Sequence, residues 1–441
     1  MKSHQRAVRK GEHAMSTITG NKWRTILLGL FGAVAAAGVA RADVASDKPG
    51  AILVYPKIVV DTAGVAGYGV ADTEIQVTNT SNSVIAARCW IVNATSFCSN
   101  APDRACATSA DCPPGGICTP QWTENDFRMT LTKRQPVTWK ASDGRAEFPC
   151  PGLLGDNCPG GQSNRGTDGT PSFVPPVQTD PFVGYMKCVE VDPNDFRPSR
   201  GLDPANNFEG DLKGEVTIVR TETRDGLPNL VDALKYNAIG IQALPPAGGD
   251  RNDVLCLGGG VTPQCPNGAE YNACPNVVIV DNYFDDAVVV THNRPGVPPL
   301  TQQVRSELTV IPCGDDFLTQ QPLSSTLQFL VYNEFEQRFS TSTSVKCFRE
   351  TFLSDIDTRL GDFGDAQSIF NVGVQGTVTG QFRMRPVPGP TYANKVLAVL
   401  FAGFECDPAA HPGGICTAGV NTNFVGTPEL GDVMLLSPEI P

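Results

Sequence analysis

The chain contains 441 residues, of which 44 are glycine and 36 are proline, while 18% are charged and 7% are aromatic. This composition is too apolar for a disordered chain and too rich in helix-breaking residues for a helical bundle or a coiled coil. The formal net charge of −12 argues against nucleic acid and anionic lipid surfaces as partners, because their phosphates repel an acidic protein.

The first 42 residues have the three-part pattern of a secretory signal peptide. A basic start leads into the uncharged run 26–40, and the small residues Ala40 and Ala42 precede a predicted cleavage site before Asp43. The run is shorter than the span of about 20 strongly apolar residues that crosses a membrane. Seven bases and one acid lie in this leader, so the remaining chain has a net charge of −18. We predict an exported chain without membrane insertion, located in the periplasm, on the outer surface or outside the cell.

The first predicted strands follow the leader. The apolar run Ile52–Val60 is typical of a strand that is covered on both faces, and Thr73–Asn79 alternates apolar and polar residues. The stretch 73–92, TEIQVTNTSNSVIAARCWIV, resembles paired strands of immunoglobulin-like sandwiches in secreted Gram-negative proteins that have short cysteine-rich loops. The resemblance implies export and a β-sandwich. Cys89 and Trp90 are adjacent, so we expect their side chains on opposite faces of a strand and not together in one core.

All fifteen cysteines follow the leader, and most lie in loops rich in glycine and proline. No closely spaced C-x2–4-C pair occurs, so the pattern predicts disulfide bonds in an oxidising compartment and not a zinc site. The odd number leaves one thiol free or paired with another chain. The first four candidates allow three pairings. The candidates for structural disulfides are Cys98, Cys106, Cys112, Cys118, Cys150, Cys158, Cys256, Cys265, Cys274, Cys406 and Cys416.

Later segments also have strand patterns. Period-two alternation or continuous apolar runs predict strands at Phe127–Leu131, Glu215–Ile218, Val277–Val280, Gln381–Arg385 and Lys395–Phe404. Only Asn229–Tyr236, with the sequence NLVDALKY, is predicted to be helical. Many short strands between glycine and proline turns indicate an all-β protein.

We predict two antiparallel β-sandwich domains of the immunoglobulin-like type with disulfide-stapled loops. The predicted first domain covers 43–250 and includes the cysteine-rich loop 98–118. A connecting segment with short strands covers 251–310, and the second domain covers 311–441. The motif PGGICT occurs twice, and the order of strands is similar in both halves, which indicates a duplication. In that alignment Thr73–Asn79 matches Leu327–Asn333, and Ala86–Ile91 matches Ser344–Phe348.

Motifs for catalysis and cofactor binding are missing from the sequence. His292 and His411, the histidines after the leader, lie in proline-rich segments, and no G-x-S-x-G, HExxH or P-loop motif occurs. We predict no catalytic residue and no bound cofactor. The tryptophans Trp90, Trp122 and Trp139 are expected in the core, with a sugar-stacking platform as the alternative.

Two carboxylate clusters are the remaining candidates for a metal site. Turns dense in aspartate supply oxygen ligands for calcium, although neither cluster matches the D-x-D-x-D-G loop, because Arg359 replaces the third oxygen in the second cluster. We expect these residues to be solvated in turns, with calcium as the one candidate cofactor and a glycosidase pair as a further alternative. The residues are Asp281, Asp285 and Asp286, then Asp355, Asp357, Asp362 and Asp365.

The function predicted from these features is that of an exported, non-catalytic structural, surface or adhesion protein. Its partner is expected to be a protein or a glycan at the cell surface, and not a nucleic acid. Two alternatives remain open. One is a carbohydrate-binding or carbohydrate-active protein that uses surface carboxylates, and the other is a subunit that exchanges strands within an extracellular assembly.

Overall fold

The computed structural model describes residues 44–45, 48–64, 70–106, 109, 112–120, 122–145, 173–198, 210–222, 230–244, 254–258, 261, 265–266, 268–284, 287–292, 300–314, 324–356, 359–360, 366–387, 395–405, 415–418, 420–425 and 433–438. The predicted all-β fold is confirmed: these residues form strands almost throughout, with a 3₁₀ turn at Leu353–Asp355 and the four-residue helix α1 (Val372–Gln375). No helix in these ranges is long and apolar enough to cross a bilayer. The predicted signal peptide lies outside them.

The described strands divide into two groups along the chain. The first group is β1 (Val44–Ala45), β2 (Ile52–Val60), β3 (Val70–Asn79), β4 (Ile85–Asn93), β5 (Ser96–Cys98), β6 (Ala101–Ala105), β7 (Cys118–Pro120), β8 (Thr123–Leu131), β9 (Pro136–Lys140), β10 (Phe182–Val191), β11 (Leu212–Glu222), β12 (Leu230–Asn237) and β13 (Ile239–Ile241). The second group is β14 (Val277–Phe284), β15 (Ala287–His292), β16 (Leu300–Cys313), β17 (Ser324–Asn333), β18 (Arg338–Lys346), β19 (Arg349–Phe352), β20 (Arg359–Leu360), β21 (Ala366–Gln367), β22 (Thr379–Pro386), β23 (Lys395–Glu405), β24 (Ile415–Ala418), β25 (Val420–Val425) and β26 (Val433–Pro438).

Ten strands of the first group form two sheets that face each other across a core, and β5, β6 and β7 form a separate three-stranded sheet. Sheet 1 has the strand order β1-β13-β2-β10-β4-β8, and sheet 2 has the order β12-β11-β3-β9. Phe127 of sheet 1 meets Trp139 of sheet 2 edge to face, with ring centroids 6.1 Å apart. The hydroxyl group of Tyr55 donates to the backbone oxygen of Gln76 at 2.9 Å. Apolar residues of both sheets form one buried cluster, so the pair is a β-sandwich.

The central strands of sheet 1, β2, β10 and β4, are buried on both faces. Every residue of β2 is buried, as its continuous apolar run predicts. Cys89 lies in the core between sheets 1 and 2, whereas Trp90 packs into a second core that includes Leu257 and Phe329. The two side chains therefore leave opposite faces as expected, but each is buried, because a second layer covers the outer face of sheet 1.

The second group of strands supplies that layer. Sheet 3 has the order β18-β17-β22-β14-β26-β25, and sheet 4 has the order β15-β16-β23-β24, with β19 paired to β16. The rings of Tyr283, Phe329, Phe370 and Phe382 pack with centroids 5.5–5.7 Å apart within the second core. Since this core also contacts sheet 1, residues Ala42–Pro441 form one structural unit. The pairings between the named strands are antiparallel except that of β14 with β26, and the isolated bridge between Leu257 and Tyr271 is also parallel.

Five disulfide bonds join cysteines whose positions are described. Cys89 and Cys188 lie directly opposite each other on β4 and β10, a pair that the loop-based prediction did not include. Cys150, Cys158 and Cys406 lie outside the described residues, as does the side chain of Cys416. The bonds indicate an oxidising compartment outside the cytosol. The other four bonds are Cys98–Cys112, Cys106–Cys118, Cys256–Cys265 and Cys274–Cys313, and the first two select one of the three pairings left open.

The helix predicted at Asn229–Tyr236 is wrong. Residues Leu230–Asn237 form β12, which is antiparallel to β11. Leu234 and Tyr236 are two positions apart and both lie in the core between sheets 1 and 2, which is the spacing of a strand. Packing against sheet 1 therefore overrides the local helix propensity of this segment.

The observed strand topology bears on two predictions about domain organisation, the connecting segment and the duplication. Strands β14, β15 and most of β16 fall in 251–310, the predicted connecting segment, yet they belong to sheets 3 and 4. The predicted duplication requires β17 and β18 to be arranged like β3 and β4. However, β17 pairs directly with β18, whereas β3 and β4 lie in different sheets. The strand pairing of the two halves is not duplicated in this alignment.

The double change Cys89→Ala and Cys188→Ala is expected to lower the free energy of unfolding by about 2–5 kcal/mol. The two cysteines are fully buried and 99 residues apart in sequence. The matched double change at Cys98 and Cys112, which are 14 residues apart, is expected to cost less because it opens a shorter loop. Urea unfolding followed by tryptophan fluorescence measures both losses. A smaller loss for the Cys89–Cys188 variant would contradict this ranking.

Candidate functional site

The predicted carboxylate clusters are only partly described. Asp281 lies in β14, is half-buried, and accepts a hydrogen bond from the side-chain amide of Gln381. Asp355 ends the 3₁₀ turn after β19 and is exposed. Calcium binding at either cluster therefore stays a prediction. The remaining members, which lie outside the described residues, are Asp285, Asp286, Asp357, Asp362 and Asp365.

The other residues singled out from the sequence do not form a site among the described residues. The sulfur atoms of Cys98, Cys106 and Cys112 lie within 4.8 Å of one another, but each is in a disulfide bond and offers no thiolate to a metal. His292 is in β15, with its side chain outside the description, and His411 lies outside the described residues.

The tryptophans lie in the core, as expected, and do not form an exposed platform. Trp90 and Trp139 are 2% and 1% exposed. Trp122 is partly buried, and its ring centroid lies 5.9 Å from that of Tyr185. A sugar-stacking role for these three residues therefore finds no support in the fold.

An open groove of about 440 Å³ lies at one end of sheet 3. It forms where β17, β22 and β14 end together, beside the turn that connects β17 to β18. Its lining combines one aromatic ring with charged and amide side chains. We call these residues the groove: Asn282, Tyr332, Asn333, Glu334, Glu336, Thr379, Gly380, Gln381 and Arg383.

The turn beside the groove is held by one buried amide. The Oδ1 atom of Asn333 accepts hydrogen bonds from the backbone N–H groups of Phe335 and Gln337 at 3.0 and 2.8 Å. Its Nδ2 atom donates to the backbone oxygen of Gln375 at 2.7 Å. Glu336 has a φ of 61°, a left-handed conformation that tightens the turn. The groove wall is therefore fixed by hydrogen bonds within the chain.

Hydrogen bonds also position several polar groups of the lining. One carboxylate oxygen of Glu334 accepts from the hydroxyl and the backbone N–H of Thr379, at 2.6 and 3.3 Å. Gln381 is oriented by its bond to Asp281. The guanidinium of Arg383 lies 5.8 Å from the centre of the Tyr332 ring. This arrangement offers donors, acceptors and a ring in one place, which is the chemistry of a polar binding site.

Sequence reasoning missed most of the groove. The alternation in LQFLVYN does place Tyr332 on the face opposite to the core residues Phe329 and Val331. No local pattern, however, shows that Tyr332 and Arg383 are neighbours, because 50 positions of chain separate them and only sheet pairing joins them. Of the predicted site residues whose side chains are described, Asp281 lies beside the groove, through its contact with Gln381.

A separate group of charges, the ionic cluster, is buried where β2 meets sheet 4. It consists of Lys57, Arg220, Glu307 and Glu350. Lys57 is fully buried, and its ammonium group contacts the Glu307 carboxylate and lies 3.3 Å from Oε2 of Glu350. It also lies 5.2 Å from the centre of the Phe401 ring. Arg220 approaches the second oxygen of Glu307 at 3.7 Å, so each charge has an opposite charge nearby.

A β-bulge directs Lys57 toward the cluster. The pairing of β2 with β10 shifts between Gly184 and Met186, which leaves Pro56 and Lys57 together against one residue of β10. Pro56 has no N–H to donate. The backbone of Lys57 bonds instead to the Tyr236 hydroxyl, which accepts from its N–H at 3.0 Å and donates to its carbonyl at 2.5 Å.

The surroundings of Glu307 lower its pKa. Burial by itself raises the pKa of this carboxyl, but the charge of Lys57, which also donates a hydrogen bond to it, and the charge of Arg220 outweigh the effect of burial. The pKa falls from 4.5 to about 2. Glu307 is therefore ionised in the folded protein at neutral pH and serves as the counter-ion of Lys57. The cluster is enclosed between strands and does not line the groove.

Cys347 is the cysteine without a disulfide among those whose side chains are described. It lies between β18 and β19 with a φ of 65°. Burial raises the pKa of its thiol to about 11, although the charge of Lys346 acts in the opposite direction. The thiol is therefore protonated and unreactive at neutral pH.

Comparisons with known proteins identify no family. No family model matches the sequence, and no curated protein matches it. A solved structure with some similarity is the crystal structure of the major pilin from Streptococcus pyogenes, at 10% sequence identity and a TM-score of 0.16. The match covers 83% of this chain and 97% of the pilin. A TM-score this low supports no conclusion about shared architecture or function.

Acid is expected to destabilise the protein through Glu307. Its folded-state pKa of about 2 lies below the ordinary 4.5, so protons bind preferentially to the unfolded chain. The contribution is complete above pH 4.5, is lost as the pH falls toward 2, and amounts to about 3 kcal/mol. Urea unfolding at a series of pH values measures this loss. Glu307→Gln should be less stable than the parent at pH 7 and less sensitive to acid.

Asp72→Asn is the matched control for this acid series. Burial raises the pKa of Asp72, so protonation of this carboxyl favours the folded state and opposes the effect of Glu307. The Asp72→Asn variant should therefore lose stability more steeply in acid than the parent. If Glu307→Gln kept the full acid sensitivity of the parent, the ionic cluster would not be the source of it.

Proposed function

We propose that this protein is an exported, non-catalytic binding or structural protein that acts outside the cytosol. Its partner is a protein or a glycan at the cell surface. The observation that supports a binding role is the groove: fixed polar side chains and an accessible ring on the outer face of a sheet whose inner face is locked into a core. The buried inner face of the sheet stabilises the fold, so the side chains of the outer face are held in place and remain available for binding.

The disulfide bonds support the proposed location. Their cysteines lie in both halves of the chain and include the buried pair Cys89–Cys188. Bonds of this kind form and persist in oxidising compartments. The leader 1–42 has the pattern of a signal peptide and provides the route to such a compartment.

The placement of the perturbed carboxyl favours binding over catalysis. A catalytic acid or base typically combines a shifted pKa with a position in a cleft. Glu307 has a shifted pKa but is enclosed in the ionic cluster, where it neutralises Lys57. In the groove, Glu334 bonds to Thr379 and Gln381 bonds to Asp281, which orients both side chains for contact with a ligand.

Fractionation of the native host tests this proposal. The protein is expected outside the cytosol, beginning at Asp43, with one thiol that reacts with a maleimide only after denaturation. Cys347 is that thiol if the remaining cysteines are paired, and Cys347→Ala is the matched control that should show none. The purified protein should turn over no polysaccharide, peptide or ester substrate. A reduced cytosolic protein, or measurable turnover, would refute the proposal.

A second candidate function is assembly through a sheet edge, which β18 favours. Among the described strands, β18 pairs only with β17 and forms the edge of sheet 3. Between Arg338 and Lys346 its sequence is the uncharged FSTSTSV, which lacks the charges that usually protect an edge. Arg349 donates to the carbonyl oxygen of Ser344 at 2.9 Å and covers one end. A strand from a second copy of this chain would pair with the rest of the β18 edge through backbone hydrogen bonds.

Edge assembly predicts self-association that an added charge abolishes. Ser342→Lys should convert an oligomer at high concentration into a monomer, because a lysine in the middle of the edge opposes pairing. Gln328→Lys is the matched control, since β17 is already paired on both sides. Light scattering after size-exclusion chromatography measures both. A monomeric parent at high concentration, or equal effects of the two changes, would exclude this candidate.

A further inference from the structure

We infer that the groove binds a neutral saccharide. This inference rests on the proposed binding function and names the ligand class for the same site. The groove places the half-buried ring of Tyr332 beside four side chains that are able to donate or accept hydrogen bonds, namely those of Gln381, Arg383, Glu334 and Glu336. Sugars present apolar C–H faces together with hydroxyl groups that both donate and accept. A ring surrounded by mixed donors and acceptors matches both features.

The lining residues have hydrogen-bond donors and acceptors that are suited to hydroxyl groups. Within the described part of the chain, the guanidinium of Arg383 contacts the ring of Tyr332 and forms no ion pair, so its N–H groups are available as donors. One oxygen of Glu334 is used by Thr379, which leaves the other as an acceptor. The amide of Gln381 donates to Asp281, so its oxygen atom faces no donor among these residues.

The charge of the lining favours a neutral ligand over an anionic one. Two carboxylates, Glu334 and Glu336, accompany the single cation Arg383, and Asp281 lies directly behind Gln381. A uronic acid or a sulfated sugar would meet excess negative charge here, in a chain whose overall net charge is −12. Neutral hydroxyls accept from Arg383 and donate to the carboxylates without this penalty.

The geometry of the groove fits a segment of a chain and not an enclosed small molecule. Its volume of about 440 Å³ is open to solvent on the outer face of sheet 3. Gly380 lies on the inner face behind the groove, where a Cβ atom would lie 2.8 Å from the backbone oxygen of Tyr332 and 2.9 Å from the hydroxyl of the buried Tyr283, so the strands approach closely at this point. Saccharide segments can therefore lie across the ends of β17 and β22.

The test is binding of the full exported chain to an array of neutral gluco-, manno-, galacto- and xylo-oligosaccharides, with uronic acid oligosaccharides on the same array. We expect at least one neutral class to bind and the acidic oligomers to bind less. Titration calorimetry with a hexasaccharide of the bound class then measures affinity. Tyr332→Ala is expected to weaken binding about tenfold or more, since an aromatic anchor at the centre of a site is removed.

Three further variants separate recognition from folding. Tyr332→Phe should retain most of the affinity because the ring remains, whereas Gln381→Ala should lose several-fold. Phe335→Ala is the matched control: this side chain is 72% exposed in the same turn but does not line the groove, so affinity should be unchanged. Each variant should unfold at the same temperature as the parent. If Tyr332→Ala unfolds at a lower temperature, the affinity of Gln381→Ala provides the test of the groove instead.

The outcomes distinguish this inference from the proposed function. Failure of every neutral sugar to bind, or preference for uronic acids, overturns the neutral saccharide ligand and leaves an exported binding protein in place. Undiminished binding by Tyr332→Ala overturns the groove as the site. Hydrolysis of a bound oligosaccharide overturns both, because it makes the protein an enzyme.

Discussion

The buried charge of Lys57 is the constraint on which the arrangement of the sheets depends. A fully buried ammonium group requires opposite charges nearby, and these come from β16 and β19 in the second half of the chain. Removing both carboxylates would leave an uncompensated charge in an apolar environment. The position of sheet 4 relative to β2 is therefore specified by pairing of charges as well as by apolar packing. The bulge at Pro56 and the bond to Tyr236 set the direction of the side chain.

Sheet 1 is the shared wall of the two cores, and this explains several features together. Its strand β2 has no solvent-facing side, so its sequence is apolar at nearly every position and lacks alternation. Cys89 and Trp90 can both be buried because each face of β4 has its own core. The two halves are consequently not independent sandwiches, since the outer face of the first is covered by apolar residues of the second.

The same packing leaves the outer face of sheet 3 for recognition. Its inner residues, such as Phe329 and Phe382, are fully buried, while Tyr332, Gln381 and Arg383 alternate with them on the opposite face. Asn333 and Gln375 fix the turn that forms the wall of the groove. A rigid sheet that presents polar groups and one ring has the properties of a surface for extended polar ligands.

The amino-acid sequence by itself determined the local features, namely strands from period-two alternation and an oxidising environment from cysteine use. These follow from interactions between residues close in the chain. Only the tertiary structure decided which strands are neighbours. It therefore decided that Cys89 pairs with Cys188 and that Tyr332 lies beside Arg383. It also made a strand of 230–237, because burial of Leu234 and Tyr236 outweighs a weak helical preference. Contacts between residues that are far apart in the chain leave no local sequence pattern that would predict them.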